Sequence, residues 1–219
     1  MQYNYIYLLC NSKFFTQMNT EEYLKDISEI KNLMNKSSRF ISLSGLSGIL
    51  AGIYALLGAG FAHWLVKSYS YDRLLLSGDV FMLILLDLFL VLLLSVGTAI
   101  FLTTRKAKKN REPFWDATTK KLLTSFLIPL LAGGLYIIII LSQGKYGQTG
   151  ALMLIFYGIA LYNASKHTLS YVKYLGFTEI LLGLISALLP GLGFWFWVIG
   201  FGFMHIFYGT LMHFKYDKK

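Results

Sequence analysis

Six apolar runs, at about residues 39–66, 79–103, 122–142, 149–165, 174–190 and 192–212, take up most of this 219-residue chain. Each is near the roughly 20 residues that carry an α-helix across the hydrocarbon core of a bilayer. In that medium every backbone N–H and C=O must be satisfied within the protein, and helices do this without leaving a strand edge in lipid. The expected fold class is therefore all-α: a polytopic membrane helical bundle of six transmembrane helices. Composition agrees, since only 14% of residues are charged and 56% are hydrophobic, whereas a soluble domain is usually about 25% charged.

The formal charge of +9 does not point to nucleic acid, because the basic residues are confined to the segments between apolar runs. Alternate sides of the six-span arrangement hold 17 and 3 Lys and Arg. The positive-inside rule puts the larger set, and with it both termini, in the cytoplasm. The densest group, Arg105, Lys106, Lys108, Lys109 and Arg111 with Lys120 and Lys121, is the strongest anchor. Besides setting orientation, such a group suits anionic lipid head groups. The lipid bilayer is thus the first expected partner.

Residues 1–17 hold a short apolar patch with neither a basic leader nor a small-residue cleavage site, and Met18 reads as an alternative start. Residues 18–38 read as a cytoplasmic amphipathic helix. Asn19 and Glu22 make a capping-box pattern, and Tyr23, Ile27, Ile30 and Met34 recur at helical spacing, with Lys25, Lys31 and Lys36 on other faces. It either lies on the membrane or docks a cytoplasmic protein through residues 19–36. Residues 214–219 form a short cytoplasmic tail.

The third and fourth runs repeat weakly in the fifth and sixth at an offset of 51 residues. Ile155-Phe156-Tyr157-Gly158 matches Ile206-Phe207-Tyr208-Gly209, and Phe126, Leu130 and Leu131 match Phe177, Leu181 and Leu182. Two runs per copy make this a parallel repeat. The first pair of runs does not visibly join it.

Ionisable groups inside a bilayer cost at least about 2.5 kcal/mol at its centre and need a reason to be there. Asp87 is about 12 Å below the outer surface at 1.5 Å per residue, whereas Asp79 and His63 are near the ends of their runs. Reflecting the last hairpin about Gly191 and Leu192 brings Glu179 level with His205. A carboxyl and an imidazole at one depth can share a proton, or simply hydrogen-bond to hold helix register. Tyr157, Asn163 and Tyr208 are candidates to line the same cytoplasmic-side pocket. The scattered histidines and the single Cys10 offer no metal site, and no cofactor fingerprint is present.

Gly45-Leu46-Ser47-Gly48 has the GxSG form that rhomboid intramembrane proteases place around their serine, and Ser47 with His205 makes an alternative reading as an intramembrane serine hydrolase. The match covers four residues on the first run, whereas rhomboids carry theirs on the fourth. The same residues also make small faces for helix packing, Ser44, Gly48 and Gly52 on one and Ser47, Ala51 and Ala55 on the next.

Taken from Met18, the chain resembles a family of uncharacterised bacterial six-helix integral membrane proteins in three stretches: Asn19 to Gly52, Lys173 to Leu184 and Pro190 to Tyr216. The resemblance implies six membrane helices, a cytoplasmic start and the bacterial inner membrane. It carries no assigned activity. The functional expectation is a non-enzymatic module, either a sensor or regulator with its N-terminal helix as output, or a small solute or proton pathway.

Overall fold

A computed structural model of the chain describes residues 23–28, 43–69, 78–110 and 115–217. It divides at Arg39 into two units. In the first, residues 23–28 are helical, with Tyr23, Leu24 and Ile27 exposed; the rest of the expected amphipathic helix lies outside the described residues, as does Arg111.

The second unit consists, among its described residues, of helices and the turns between them. These are α1 (Gly45–Tyr69), α2 (Gly78–Lys109), α3 (Ala117–Ser142), α4 (Thr149–Ala164), α5 (Ser170–Leu188) and α6 (Gly193–Asp217). All except α4, at 16 residues, are long and apolar enough to cross a membrane. Their surfaces explain why: Leu86, Phe89, Leu93 and Ile100 on α2, and Ile128, Leu131 and Ile138 on α3, point outward and exposed. Apolar surface on this scale is stable against lipid, not water.

The ends of the helices have local causes. The Asp116 carboxylate accepts the Thr119 N–H at 2.7 Å and caps α3. Burial alone would raise its pKa, but hydrogen bonds from Thr119 and Thr118 outweigh that and hold it below the usual carboxylate value. The turn between α5 and α6 places Gly191 at φ +91°, a conformation that favours glycine. Past that turn α6 is not uniform, for Val198–Met204 and His213–Asp217 wind as π-helix around an α-helical His205–Met212.

Close packing follows the small residues. Gly45, Gly48 and Gly52 form the face of α1 along which α6 lies. On the other side of the unit, α4 packs between α3 and α5. Two of these interfaces are copies of one another. A Cβ on Gly183 of α5 would stand 2.6 Å from Ile155 Cγ1, 2.8 Å from Ala151 O and 3.0 Å from Ile155 N. On Gly52 of α1 it would stand 2.6 Å from Ile206 Cγ1, 2.6 Å from Gly202 O and 3.0 Å from Ile206 N. Ala151 and Ile155 map on Gly202 and Ile206 at the offset of 51.

At the same place Gly158 meets Gly176 O and Ile180 N, and its equivalent Gly209 meets Gly45 O and Ile49 N. Gly176, Ile180 and Gly183 thus correspond to Gly45, Ile49 and Gly52, so that Gly-Phe-Thr-Glu-Ile-Leu-Leu-Gly of α5 aligns with Gly-Leu-Ser-Gly-Ile-Leu-Ala-Gly of α1. The first run thus joins the repeat through α1, and the contacts of α2 do not enter it. Its kinship lies in the contacts of α1, which a comparison limited to the last four runs does not reach.

Candidate functional site

Glu179 is on the face of α5 that turns inward between α4 and α6, and its side chain is 0% exposed. The carboxyl fits because position 200 is a glycine: a Cβ there would collide with Glu179 Oε2 and with Leu154. Among the described residues, neither carboxyl oxygen has a hydrogen-bond partner. Beside it is His205, whose Nδ1 is 3.5 Å from Oε1.

The hydrogen bonds of His205 define its proton. Nδ1 is 3.0 Å from the Gly200 carbonyl, and Nε2 is 2.8 Å from the Tyr157 hydroxyl. A carbonyl only accepts, so Nδ1 carries the hydrogen in the neutral ring, and Nε2 accepts from the Tyr157 O–H. The Nδ1–H therefore has two acceptors in reach, the carbonyl at 3.0 Å and the carboxyl at 3.5 Å. The π-helical stretch just before His205 contains Gly200, and wide turns of this kind recur at functional sites. Aromatic rings close the site: Phe201 is 4.9 Å from Tyr157 and 5.8 Å from His205, and Trp197 is 5.1 Å from Phe201.

The other candidates fall around this pair or away from it. Tyr208, one turn beyond His205, shares a hydrogen bond of 3.1 Å with Thr178, the residue before Glu179. Asn163 is half-buried in the last turn of α4, beyond Tyr157, and takes no part in these hydrogen bonds. Asp87 is in a separate cavity described below. Asp79 is in the exposed first turn of α2, where a helix N-terminus favours a carboxylate. His63 is exposed, with its ring 6.0 Å from that of Phe194.

Ser47 is buried and donates its hydroxyl to the Ser44 carbonyl at 2.6 Å. Both His205 nitrogens are engaged by Tyr157 and Gly200, and no hydrogen bond between Ser47 and His205 is found among the described residues. The described residues hold no group of His, Cys, Asp and Glu able to bind a metal ion.

A second polar centre was not anticipated. Asp217, at the end of α6, accepts from Lys106 Nζ at 2.6 Å, from the Gly45 N–H at 3.0 Å, from the Ser44 hydroxyl at 3.5 Å and from His213 Nδ1 at 3.0 Å. Lys106 also donates to the Leu43 carbonyl at 3.1 Å. So Lys106 faces inward and ties α2 to the start of α1 and the end of α6. Arg105, Lys108 and Lys109 stay exposed. Sequence offered one signal, an acidic residue between basic neighbours at the C-terminus, but nothing tied it to position 106.

Five helices long and apolar enough to cross a membrane, with large apolar side chains facing outward, are the make-up of a helical multi-pass membrane protein. Comparison of the chain with protein-family models, with curated proteins and with solved structures returns no match.

Proposed function

We propose that this chain is a non-enzymatic membrane protein of the bacterial inner membrane, with six crossing helices, both termini in the cytoplasm, and a proton shared by Glu179 and His205 as its working element. Three features support six crossings. At 1.5 Å per residue α4 is about 24 Å long, near the roughly 30 Å hydrocarbon core. It packs between α3 and α5, and a sixth span leaves both basic ends on one side.

The observation that carries the functional reading is a fully buried carboxyl without a hydrogen-bond partner among the described residues, 3.5 Å from an imidazole. A neutral acid beside neutral histidine and a carboxylate beside imidazolium have the same net charge. Because Nδ1 already carries its hydrogen, the proton that leaves the acid must end on Nε2, with the Tyr157 hydroxyl turning from donor to acceptor. This adds no net charge to an apolar interior, where an unpaired ion is expensive. Binding or losing one further proton does change the charge, which gives the bundle a reason to rearrange. The repeat supports a role beyond packing: Glu179 takes the place of Gly48, and His205 that of Leu154, in otherwise matching interfaces. Departures from a shared packing rule concentrate at functional positions.

Such an element serves a sensor or regulator, with output through the N-terminal helix and a protein partner at residues 19–36, or a pathway for protons or a solute moving with them. Two readouts of Glu179→Gln test it. The acid-minus-alkaline infrared difference spectrum of the reconstituted protein is expected to contain a protonated-carboxyl band that the variant lacks. Proton flux into dye-loaded vesicles, lost in the same variant, identifies a pathway; the band without flux identifies a sensor. If neither signal depends on Glu179, the proposal fails.

A further inference from the structure

Asp87 lies at a cavity of about 160 Å³ where α1, α2, α4 and α6 meet, half-open to the outside of the bundle. We propose that this cavity binds a small organic cation, an amine or quaternary ammonium with an apolar body. This does not rest on the reading of Glu179 and His205.

Three observations converge. The first is charge. Asp87 is the one charged residue lining the cavity among the described residues, and no hydrogen bond or ion pair to it is found among them. Its carboxylate lies over the backbone of α1, its oxygens 3.1 and 3.3 Å from where a Cβ on Gly58 would be. A carboxylate held in an apolar wall without a cationic side chain calls for a counter-charge from outside.

The second is the wall. Phe194 and Trp197 bring aromatic rings, and Met153 adds a polarisable thioether. Aromatic rings beside a carboxylate are the surroundings that hold alkylammonium groups. A bare metal ion is the poorer fit, since Ca²⁺ or Mg²⁺ takes about six oxygen ligands and the lining side chains supply only those of Asp87.

The third is size. Ala59 leaves space where a larger residue would fill it, while Gly150 lets the start of α6 come close, since a Cβ there would stand 2.8 Å from Gly193 O. The volume is close to the roughly 150 Å³ that accepts a benzene ring in an apolar cavity. A cation of about a benzene ring's bulk in all, its ammonium included, therefore fits, with the open side as its entry.

The test is calorimetric titration of the full chain in nanodiscs of uncharged lipid, which removes non-specific attraction of cations to the membrane. The probes are tetramethylammonium and, as a neutral counterpart, tert-butanol. Saturable binding of the cation is expected, weakened roughly tenfold or more in Asp87→Asn. Ala59→Leu, which fills the cavity and leaves the carboxylate in place, is expected to abolish it, so the outcome does not depend on one variant folding. No saturable binding to the unmodified chain overturns the proposal, as does equal binding of the neutral probe or of the cation to both variants. An Asp87 that serves only to carry a proton gives the first of these results.

Discussion

At the scale of single residues, the central fact is that Glu179 fits only because its neighbour on α6 has no side chain. A Cβ on Gly200 would meet both the carboxyl and Leu154, and a packed interior has no slack to absorb it. Gly200→Ala is expected to lower stability by about 1–3 kcal/mol, the usual cost of overpacking. Gly97→Ala, at a helix-interior position with nothing within 4 Å, is expected to be neutral or to gain up to about 1 kcal/mol. Unfolding in mixed micelles measures both. If the two variants behave alike, the carboxyl is not held where Gly200 places it. His205 is as closely placed, since the Gly200 carbonyl at Nδ1 and the Tyr157 hydroxyl at Nε2 select one tautomer.

At the scale of elements, the glycines of α1 and α5 are equivalent parts rather than independent accidents of composition. Gly52 and Gly183 each let a neighbouring helix approach until its backbone and an isoleucine side chain occupy the space of a Cβ. Van der Waals contact of this kind holds membrane helices together, because lipid tails compete with ordinary apolar side chains. Gly52→Ala and Gly183→Ala are therefore expected to destabilise by similar amounts, about 1–3 kcal/mol each. Gly60→Ala, with open space around it, should be neutral or gain up to about 1 kcal/mol from helix propensity. A large difference between the first two would break the equivalence.

At the scale of the whole second unit, Asp217 closes the bundle by joining the last residues of α6 to the first of α1 and to Lys106 near the end of α2. The ion pair is largely shielded from solvent, with side chains 16% and 11% exposed. Removing one partner leaves the other poorly solvated. Asp217→Asn is expected to cost about 2 kcal/mol. Adding Lys106→Met should recover part of that, because the orphaned charge goes with it. Additive effects in this double-mutant cycle would show that the pair contributes nothing beyond its separate ends.

The apolar runs were legible from the sequence because a span's signal is local and sums along a continuous stretch. Five long helices and the shorter α4 fall close to the expected ranges. Glu179 and His205 were legible as neighbours in depth for a related reason, since a turn of a few residues leaves a hairpin almost no freedom of register. Tyr157 was legible only as a candidate lining residue; its hydrogen bond to His205 depends on how α4 packs against α6. Lys106 reads in the sequence as one more cation in a basic run, and only the fold turns it toward Asp217, 111 residues away. Asp87 reads as a charge in an apolar run, and the cavity around it exists because four helices meet there. Hydropathy and short-range register thus determined the elements and the depth of their polar groups. Which groups face one another was decided by lateral packing, to which residues far apart in the chain contribute jointly.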